Sequence, residues 1–332
     1  MNHNSMPTAR HAEDFAKILG GGKEILVSTH ISPDGDAVAS LLAGAEIVRM
    51  LGGRTVEVLD GRIPDRFRFL PGSDRVLPPE ECKNRVWDAA LILDSGNISR
   101  IGRAAQWISA ETAIVNVDHH PDNTFFGSLN LVFPEAASTT SLLFELSQEL
   151  QLRLTPSLAL LLYSGLLTDT GGFRFSNTTE RAFEIAARLV EAGVNPAAVA
   201  DELFCRNTFG GVKLLGEALL SLQLSDGGRV ASMSVEANPQ HQEIEEIADL
   251  ALTVRGVQAS AFFRQDGAQI HVSLRARGDY DVGKIARNYG GGGHQKAAGF
   301  SYPGSIQEIR TQVIRALCEE VGEINLSHSR SE

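Results

Sequence analysis

The chain contains 332 residues, of which 43% are hydrophobic and 21% charged, values that predict a soluble protein of two domains because single domains usually span roughly 100–200 residues. The net charge of −11 argues against binding to long duplex nucleic acid, which depends on many Lys and Arg contacts with phosphates. The sequence shows no signal peptide, no membrane-spanning apolar run and no paired cysteine motif, so we expect a cytoplasmic protein that does not bind membranes.

The first half of the chain alternates between short β-rich segments and longer helical segments. N-cap residues and glycine pairs mark the ends of several of them. The predicted strands are Ile25–Thr29, Thr55–Leu59, Ala89–Leu93 and Ala113–Val117, and the predicted helices are Ala37–Met50, a segment from Ser138 to about Leu150 and a segment from Pro156 to about Leu167. This alternation indicates an α/β fold with a doubly wound, mostly parallel sheet.

The second half begins with helices and then changes to strand-like alternation. The predicted helices are Glu180–Glu191, Pro196–Phe204 and Val212–Ser221. Beyond Gly228, strand-like segments at 230–235, 258–265 and 268–277 combine with helices near His241–Leu250, at Val282–Asn288 and from about Ser305 to Val321. We therefore expect an N-terminal domain at residues 1–192, a helical linker at 193–226 and a smaller α/β domain at 227–332.

Acidic and histidine side chains follow three of the predicted strands directly. In open α/β sheets, ligands bind at the carboxyl ends of the strands, so distant segments deliver side chains to one crevice. Asp169, at the end of its predicted helix, is expected at the same edge. The resulting candidates are His30, Asp34, Asp36, Asp94, Asp118, His119, His120 and Asp169.

This mixture of imidazole and carboxylate groups indicates a transition-metal site, because Ca²⁺ prefers ligand sets made of oxygen alone. Two metals roughly 3.5–4 Å apart need a shared carboxylate and several separate ligands. Singly, each residue has an ordinary explanation, such as an Asp that caps a helix, but their joint occurrence favours metal binding. We expect two divalent ions, with Mn²⁺ as the first choice and Mg²⁺, Co²⁺ or Fe²⁺ as alternatives. The candidate ligands are His30, Asp34, Asp36, Asp94, His119 and Asp169.

A second group of candidates lies in the C-terminal domain, where glycines at 290–293 precede His294. Backbone N–H groups in such a run can approach a phosphate closely. No Gly-Lys-Ser/Thr follows, so the run is not a Walker loop, and on its own it could be a flexible turn. The substrate-binding candidates are Gly291, Gly292, Gly293, His294 and Arg275, with Arg100 as either a clamp near the metals or a surface ion pair.

Together these motifs resemble those of the DHH phosphoesterase superfamily. Two departures are minor, because Ala39 and Ser95 stand where glycine and threonine are common and neither removes a ligand. Two C-terminal segments resemble the DHH-associated domain of that superfamily: SLRAR at 273–277 and DVGKIARNYGGGGHQKAAGF at 281–300. The motifs of the catalytic domain are matched by HISPDGDAVAS at 30–40, Asp94 with Arg100–Gly102, the name-giving triplet Asp118–His120, and GLLTDTGGFRFSNT at 165–178.

The resemblance implies a role for each of these residues. His120 would face the scissile phosphate, and Asp118 would orient the adjacent histidines. Together with Asp94 they form the expected catalytic set. One metal would be held by His30 and Asp34 and the other by Asp36, His119 and Asp169, with Asp94 bridging the two.

Within the superfamily, the layout is most similar to the bacterial nanoRNase/pAp phosphatase group. This likeness implies a two-metal phosphodiesterase or phosphatase that acts on short RNA or on 3′-phosphoadenosine 5′-phosphate, with a homodimer as a candidate assembly. The alternatives are a stand-alone phosphodiesterase for cyclic or linear dinucleotides, a single-strand exonuclease of RecJ type, a family II inorganic pyrophosphatase and a non-catalytic RNA-binding protein. A second metal, for which a simple binder has no need, argues against the last of these.

Overall fold

The computed structural model describes residues 6–236, 247–293 and 295–328, with side chains described as far as residue 322. The chain folds as two compact units, Met1–Arg206 and Asn207–Glu332. The helices of the first unit are α1 Ala9–Leu19, α2 Gly35–Met50, α3 Thr139–Glu149, α4 Pro156–Asp169, α5 Glu180–Glu191 and α6 Pro196–Phe204. Its strands are β1 Glu24–Ser28, β2 Arg54–Val58, β3 Ala89–Leu93, β4 Ala113–Asp118 and β5 Leu129–Val132.

The five strands form one parallel sheet with the order β2-β1-β3-β4-β5. Strand β3 is buried at all of its positions, as expected for a parallel strand that is covered on both faces. Leu91 and Leu93 belong to the core shared with the helices, whereas Ala90 and Ile92 pack with Trp87 and Ile101 on the other face. The predicted α/β fold with a parallel sheet is confirmed.

Side-chain caps determine where several helices begin. Helix α2 starts at Gly35 rather than at the predicted Ala37, because Asp34 Oδ1 accepts a hydrogen bond of 3.0 Å from Ala37 N. Helix α3 starts after Ser138, as predicted, and Ser138 Oγ accepts a hydrogen bond of 3.0 Å from Ser141 N. The cap at Asp34 puts Asp36 in the first turn of a buried helix.

The second unit contains a six-stranded sheet with the order β10-β11-β9-β8-β7-β6, antiparallel except for the parallel pair β7–β8. Its strands are β6 Gln223–Ser225, β7 Val230–Glu236, β8 Ala259–Asp266, β9 Gln269–Ala276, β10 Gly292–Gly293 and β11 Ala297–Pro303. Its helices are α7 Phe209–Leu220, α8 Ile247–Ala251, α9 Val282–Arg287 and α10 Ile306–His328.

The helical stretch predicted as a linker, residues 193–226, is divided between the two units, with α6 in the first and α7 in the second. Helix α7 begins at Phe209, earlier than the predicted Val212, because Thr208 Oγ1 accepts a hydrogen bond from Gly211 N. Most of the helix predicted near His241–Leu250 lies outside the described residues, and its described part is α8. Among the described residues, no helix is long and apolar enough to span a membrane.

Candidate metal centre

Three neighbouring strands of the first unit end beside one another. His30 follows β1, Asp94 follows β3 and His119 follows β4, and the sheet order places β3 between the other two strands. The Nε2 atom of His30 lies 3.7 Å from Asp94 Oδ2, and the Nε2 atom of His119 lies 3.6 Å from Asp94 Oδ1. The two oxygens of one carboxylate therefore face different histidines.

Two helix ends complete the cluster. Asp36 lies in the first turn of α2, and Asp169 is the last residue of α4, where its Oδ2 atom is 3.6 Å from His119 Nε2. The structure brings the six side chains proposed as metal ligands into one region, and His120 joins them. Candidate ligand atoms lie within 4.8 Å of one another in three groups: Asp94, His119 and His120; His30, Asp34 and Asp94; and Asp36, His119 and Asp169.

Backbone carbonyls orient the rings of His30 and His119. The Nδ1 atom of His30 is 2.8 Å from the carbonyl oxygen of Ile31, and the Nδ1 atom of His119 is 3.3 Å from that of Ala136. A ring whose Nδ1–H donates to a carbonyl presents Nε2 as the nitrogen that can bind a metal. Both rings thus direct Nε2 toward the carboxylates.

Asp118 is fully buried and contacts the ring of His120. Its Oδ1 atom lies 2.7 Å from His120 Nδ1, and its Oδ2 atom accepts a hydrogen bond of 2.6 Å from Asn123 Nδ2. Burial disfavours a charged ring, but the hydrogen bond with Asp118 and the nearby Asp94 raise the pKa of His120 to about 10. The contact that the implied orienting role of Asp118 requires is thus present at His120, and the Nδ1 atom of His119 lies beside the Ala136 carbonyl.

The amino-terminal end of α3 points at the acidic cluster. Asp36 accepts hydrogen bonds from the backbone N–H groups of Thr139 and Thr140, at 2.7 and 3.1 Å, and from the Thr140 hydroxyl at 2.7 Å. The Thr139 hydroxyl donates to Asp94 Oδ1 at 2.9 Å. The first N–H groups of a helix lack intrahelical partners and attract negative charge. The start of helix α3 thus holds two of the proposed ligands, Asp36 and Asp94, in place by hydrogen bonds.

Burial and mutual repulsion shift the acids of the cluster in different directions. Burial, together with the charges of Asp94 and Asp169, raises the pKa of Asp36 well above its ordinary value. Burial and neighbouring carboxylates also raise the pKa of Asp169. Burial opposes ionisation of Asp94 as well, but the adjacent ring of His30 and the charges of His120 and His119 lower its pKa. Buried carboxylates at such a density require added positive charge.

The backbone of Asp94 is left-handed, with φ of 52°. Positive φ is uncommon outside glycine, although Asp tolerates it better than most residues. The Asp94 N–H donates to the carbonyl oxygen of Val117 at 3.0 Å, which ties this turn to the end of β4. Backbone strain of this kind is typical of functional sites, where the surrounding structure maintains it.

Arg100 lies close to the metal cluster through its backbone. Its carbonyl oxygen accepts a hydrogen bond of 2.8 Å from Ile31 N, next to His30, while its side chain is exposed. Gly102, two residues further on, has φ of 60°, and a Cβ atom there would lie 2.7 Å from the Ile31 side chain. This segment therefore supports the His30 loop. Among the described contacts, none joins the Arg100 guanidinium to the acidic cluster.

Sequence reasoning missed the residues that support the ligands from behind. Besides Thr139, Thr140 and Asn123, the side chain of Asn177 donates to the Asp169 backbone carbonyl at 3.1 Å and to the Ala137 carbonyl at 2.9 Å. A weak signal existed for Thr139 and Thr140, which form a polar run directly after the predicted N-cap Ser138. Asn123 and Asn177 lie within a few residues of proposed ligands, but nothing in their spacing indicates what they contact.

The substrate candidates of the second unit have partners of their own. The Nε atom of Arg275, on β9, lies 3.1 Å from Asp249 Oδ1. The N–H of Gly291 was expected to be available to a phosphate, but it donates to the Ala286 carbonyl at 3.0 Å, and Gly292 and Gly293 pair with β11. A Cβ atom on Gly293 would lie 2.5 Å from the Ala297 carbonyl, so close strand pairing accounts for glycine there. His294 lies outside the described residues.

The donor set of the first unit fits divalent cations. It combines imidazole nitrogens with carboxylate oxygens, the mixture that suits Mn²⁺, Fe²⁺ and related ions. Asp94 and His119 each contribute to two of the three ligand groups. The geometry thus defines a divalent-metal site at the carboxyl edge of a parallel sheet.

A parallel sheet whose edge carries an Asp-His-His triplet and three further acidic segments defines the DHH class of protein, and this chain belongs to the DHH family. Residues 24–166 match the DHH family, N-terminal domain, and residues 227–322 match the DHHA1 domain. The two matches together span most of the chain and fall one in each unit of the structure.

The similarity to known proteins extends along nearly the full length of the chain. The bifunctional oligoribonuclease and PAP phosphatase NrnA of Thermus thermophilus is 33% identical over 300 residues, which is 90% of each chain. The protein of the same name from Bacillus subtilis is 28% identical over 308 residues, 89% of this chain and 95% of that one. The crystal structure of an exopolyphosphatase-related protein from Bacteroides fragilis superposes with a TM-score of 0.85 at 23% identity, covering 96% of this chain and 98% of that one.

Proposed function

We propose that this protein is a metal-dependent phosphoesterase that hydrolyses short oligoribonucleotides to mononucleotides and removes the 3′-phosphate of 3′-phosphoadenosine 5′-phosphate. The observation that carries the proposal is the likeness to the Thermus thermophilus oligoribonuclease and PAP phosphatase, which covers 90% of both chains. The metal cluster supports it, because carboxylates and imidazoles that surround a common point are suited to phosphoester chemistry.

The proposed cofactors are two divalent ions, with Mn²⁺ as the favoured species because the ligands include both imidazole and carboxylate. Bound ions would supply positive charge that stabilises phosphoryl oxygens and would acidify a water molecule. The proposed ligand sets are His30 and Asp34 for one ion and Asp36, His119 and Asp169 for the other, with Asp94 shared. This division agrees with two of the three groups of ligand atoms found in the first unit.

The remaining residues orient the substrate and move protons. His120, held at Nδ1 by Asp118, is proposed to present a proton at Nε2 to a phosphoryl oxygen or to the leaving ribose oxygen. Arg275 is proposed to bind a terminal phosphate of the substrate, because a guanidinium can form two hydrogen bonds with a phosphate. Arg100, near the His30 loop, is a further candidate for a phosphate contact.

A substrate panel tests this proposal. The full chain, loaded with Mn²⁺, is assayed on RNAs of about two to five residues, longer RNA, 3′-phosphoadenosine 5′-phosphate, linear pApA, cyclic di-AMP and pyrophosphate. We expect rapid release of mononucleotides from the short RNAs, release of phosphate from 3′-phosphoadenosine 5′-phosphate and little hydrolysis of long RNA. Pyrophosphate as the sole good substrate, or a preference for long RNA, would contradict the proposal.

The same assay assigns the activity to the metal cluster. Asp94→Asn retains the shape of the side chain but removes the charge that both ligand groups share, so we expect metal-dependent hydrolysis to be abolished. Asp88 is an exposed carboxylate at the other end of β3, so Asp88→Asn is the matched control and should remain active. Full activity in Asp94→Asn would show that hydrolysis does not require this cluster.

A further inference from the structure

Thr139, the first residue of α3, donates hydrogen bonds to two different carboxylates of the metal cluster. Its backbone N–H donates to Asp36 Oδ2 at 2.7 Å, and its hydroxyl donates to Asp94 Oδ1 at 2.9 Å. All three residues are buried, with exposed fractions of 0%, 1% and 2% for Thr139, Asp36 and Asp94. Thr139 therefore connects the two carboxylates directly.

The two carboxylates belong to different ligand groups. Asp36 groups with His119 and Asp169, whereas Asp94 belongs to the group with His30 and Asp34 and to the group with His119 and His120. A residue bonded to both acids fixes the distance between the two groups. Each carboxylate oxygen has two lone-pair directions, so the hydroxyl of Thr139 occupies one direction of Asp94 Oδ1 and leaves the other for a cation.

The surroundings leave little room for another arrangement of these groups. Thr140 donates to Asp36 Oδ1 from its N–H and its hydroxyl, and a Cβ atom on Gly165 would lie 2.7 Å from that same oxygen. Because Thr139 is fully buried, no solvent water can replace Asp94 as the partner of its hydroxyl. A buried hydroxyl without a partner is costly, so the bond to Asp94 is strongly favoured. The start of α3 and both carboxylates are thus positioned together.

We propose that Thr139 is a positioning residue that sets the separation of the two metal ions by fixing Asp36 and Asp94 relative to each other. The inference rests on the proposed two-metal function. A side chain of the same shape without the hydroxyl retains the backbone bond to Asp36 but releases Asp94, the ligand that both ions would share. Release of a shared carboxylate weakens binding of the pair more than binding of a single ion.

The test measures metal binding without substrate, on the full chain and on its Thr139→Val, Thr139→Ala and Thr139→Ser variants. Calorimetric titration gives the affinity and stoichiometry for Mn²⁺, and electron paramagnetic resonance detects the spin-coupled signal of two neighbouring Mn²⁺ ions. We expect the Val and Ala variants to bind Mn²⁺ roughly 10–100-fold more weakly, the usual effect of losing a group that orients a ligand, and to lose the coupled signal. Thr139→Ser retains the hydroxyl and should retain both.

Thr112→Val is the matched control, because Thr112 is also buried and its hydroxyl pairs with Ser109 just before the amino end of β4. Unchanged affinity and an unchanged coupled signal in Thr139→Val and Thr139→Ala would overturn the positioning role while metal-dependent hydrolysis stands. If Thr139→Val does not fold, the difference between the Ala and Ser variants decides. If the unsubstituted protein binds no pair of Mn²⁺ ions, the two-metal proposal itself is overturned, and this inference falls with it.

Discussion

The Oδ1 atom of Asp118 lies 2.7 Å from the Nδ1 atom of His120, and the same carboxylate is fixed from its other side by Asn123. A buried acid between a donor amide and an imidazole has its orientation determined at both oxygens. The ring of His120 is oriented in turn, since a hydrogen bond at Nδ1 sets both the tautomer and the direction of Nε2.

Asp118→Asn is therefore expected to lower kcat with little effect on KM. The amide retains the size of the side chain but loses the charge that supports a protonated His120. We expect a roughly 10–100-fold reduction in kcat, the range typical of residues that orient a functional group, measured by steady-state hydrolysis of a short RNA. Asp122→Asn changes an exposed neighbour and should behave like the original protein. Full kcat in Asp118→Asn would contradict the orienting role.

Removal of divalent ions is expected to destabilise the first unit in a pH-dependent manner. The pKa values of Asp36 and Asp169 are raised above the ordinary 3.8, so without ions the folded protein holds protons that the unfolded chain releases, and stability falls as pH rises from about 3.8 toward the raised values. Ions displace these protons. Stabilisation by Mn²⁺ should therefore grow with pH.

Thermal unfolding with Mn²⁺ and with a chelator, at several pH values, measures this effect. At neutral pH, a free ion concentration of about 100 times Kd should add about 2.7 kcal/mol to the free energy of unfolding. Asp169→Asn removes one of the two acids at which protons compete with Mn²⁺. It should therefore weaken the stabilisation by Mn²⁺ and the pH dependence of that stabilisation. Identical unfolding temperatures with ion and with chelator at every pH would contradict the prediction.

Gly165→Ala is expected to disturb the cluster from behind. A Cβ atom at this position would lie 2.7 Å from Asp36 Oδ1 and closer still to the Thr140 side chain, within a helix that is buried along most of its length. Overpacking of this kind costs about 1–3 kcal/mol. We expect a lower free energy of unfolding and weaker Mn²⁺ binding, measured by denaturant titration and calorimetry.

Gly216→Ala provides the matched comparison for this change. Gly216 also lies within a helix, α7, but a Cβ atom there would meet no other atom within 4 Å. The same substitution should leave Mn²⁺ binding unchanged and add about 0.4–1 kcal/mol of stability by restricting the unfolded chain. Equal losses in the two variants would show that the space around Gly165 has no special importance.

Arg275→Ala is expected to weaken substrate binding more than chemistry. Arg275 is half-buried on β9 beside Asp249, which restrains its guanidinium. Loss of a charge-assisted hydrogen bond of about 1.5–3 kcal/mol should raise KM for short RNA roughly 10–100-fold and leave kcat nearly unchanged. Arg277→Ala, two residues further along and exposed, is the control and should change KM little. Equal effects of the two changes would argue against a specific phosphate contact at Arg275.

The fold and the meeting of the proposed ligands in one region could be predicted, because both follow from local pattern and from the geometry of parallel sheets. The buried strands AALIL and AIVNV each precede an acidic residue, and adjacent parallel strands must end at one edge. The contacts of Thr139 could not be predicted, because its hydrogen bond with Asp36 joins residues 103 positions apart and leaves no periodic signal. The pairing of Gly292 and Gly293 with β11 could not be predicted either, because a two-residue strand has no alternation to detect.

The proposed ligands come from segments spread between His30 and Asp169, and they meet only at the finished edge of the sheet. An unfolded chain offers no such constellation, so ions would be captured late in folding, after β1, β3 and β4 have aligned and α4 has docked. Once captured, each ion would act as a reversible cross-link that closes long loops of the chain. Metal supply would then govern the lifetime of the folded first unit as well as its catalytic capacity.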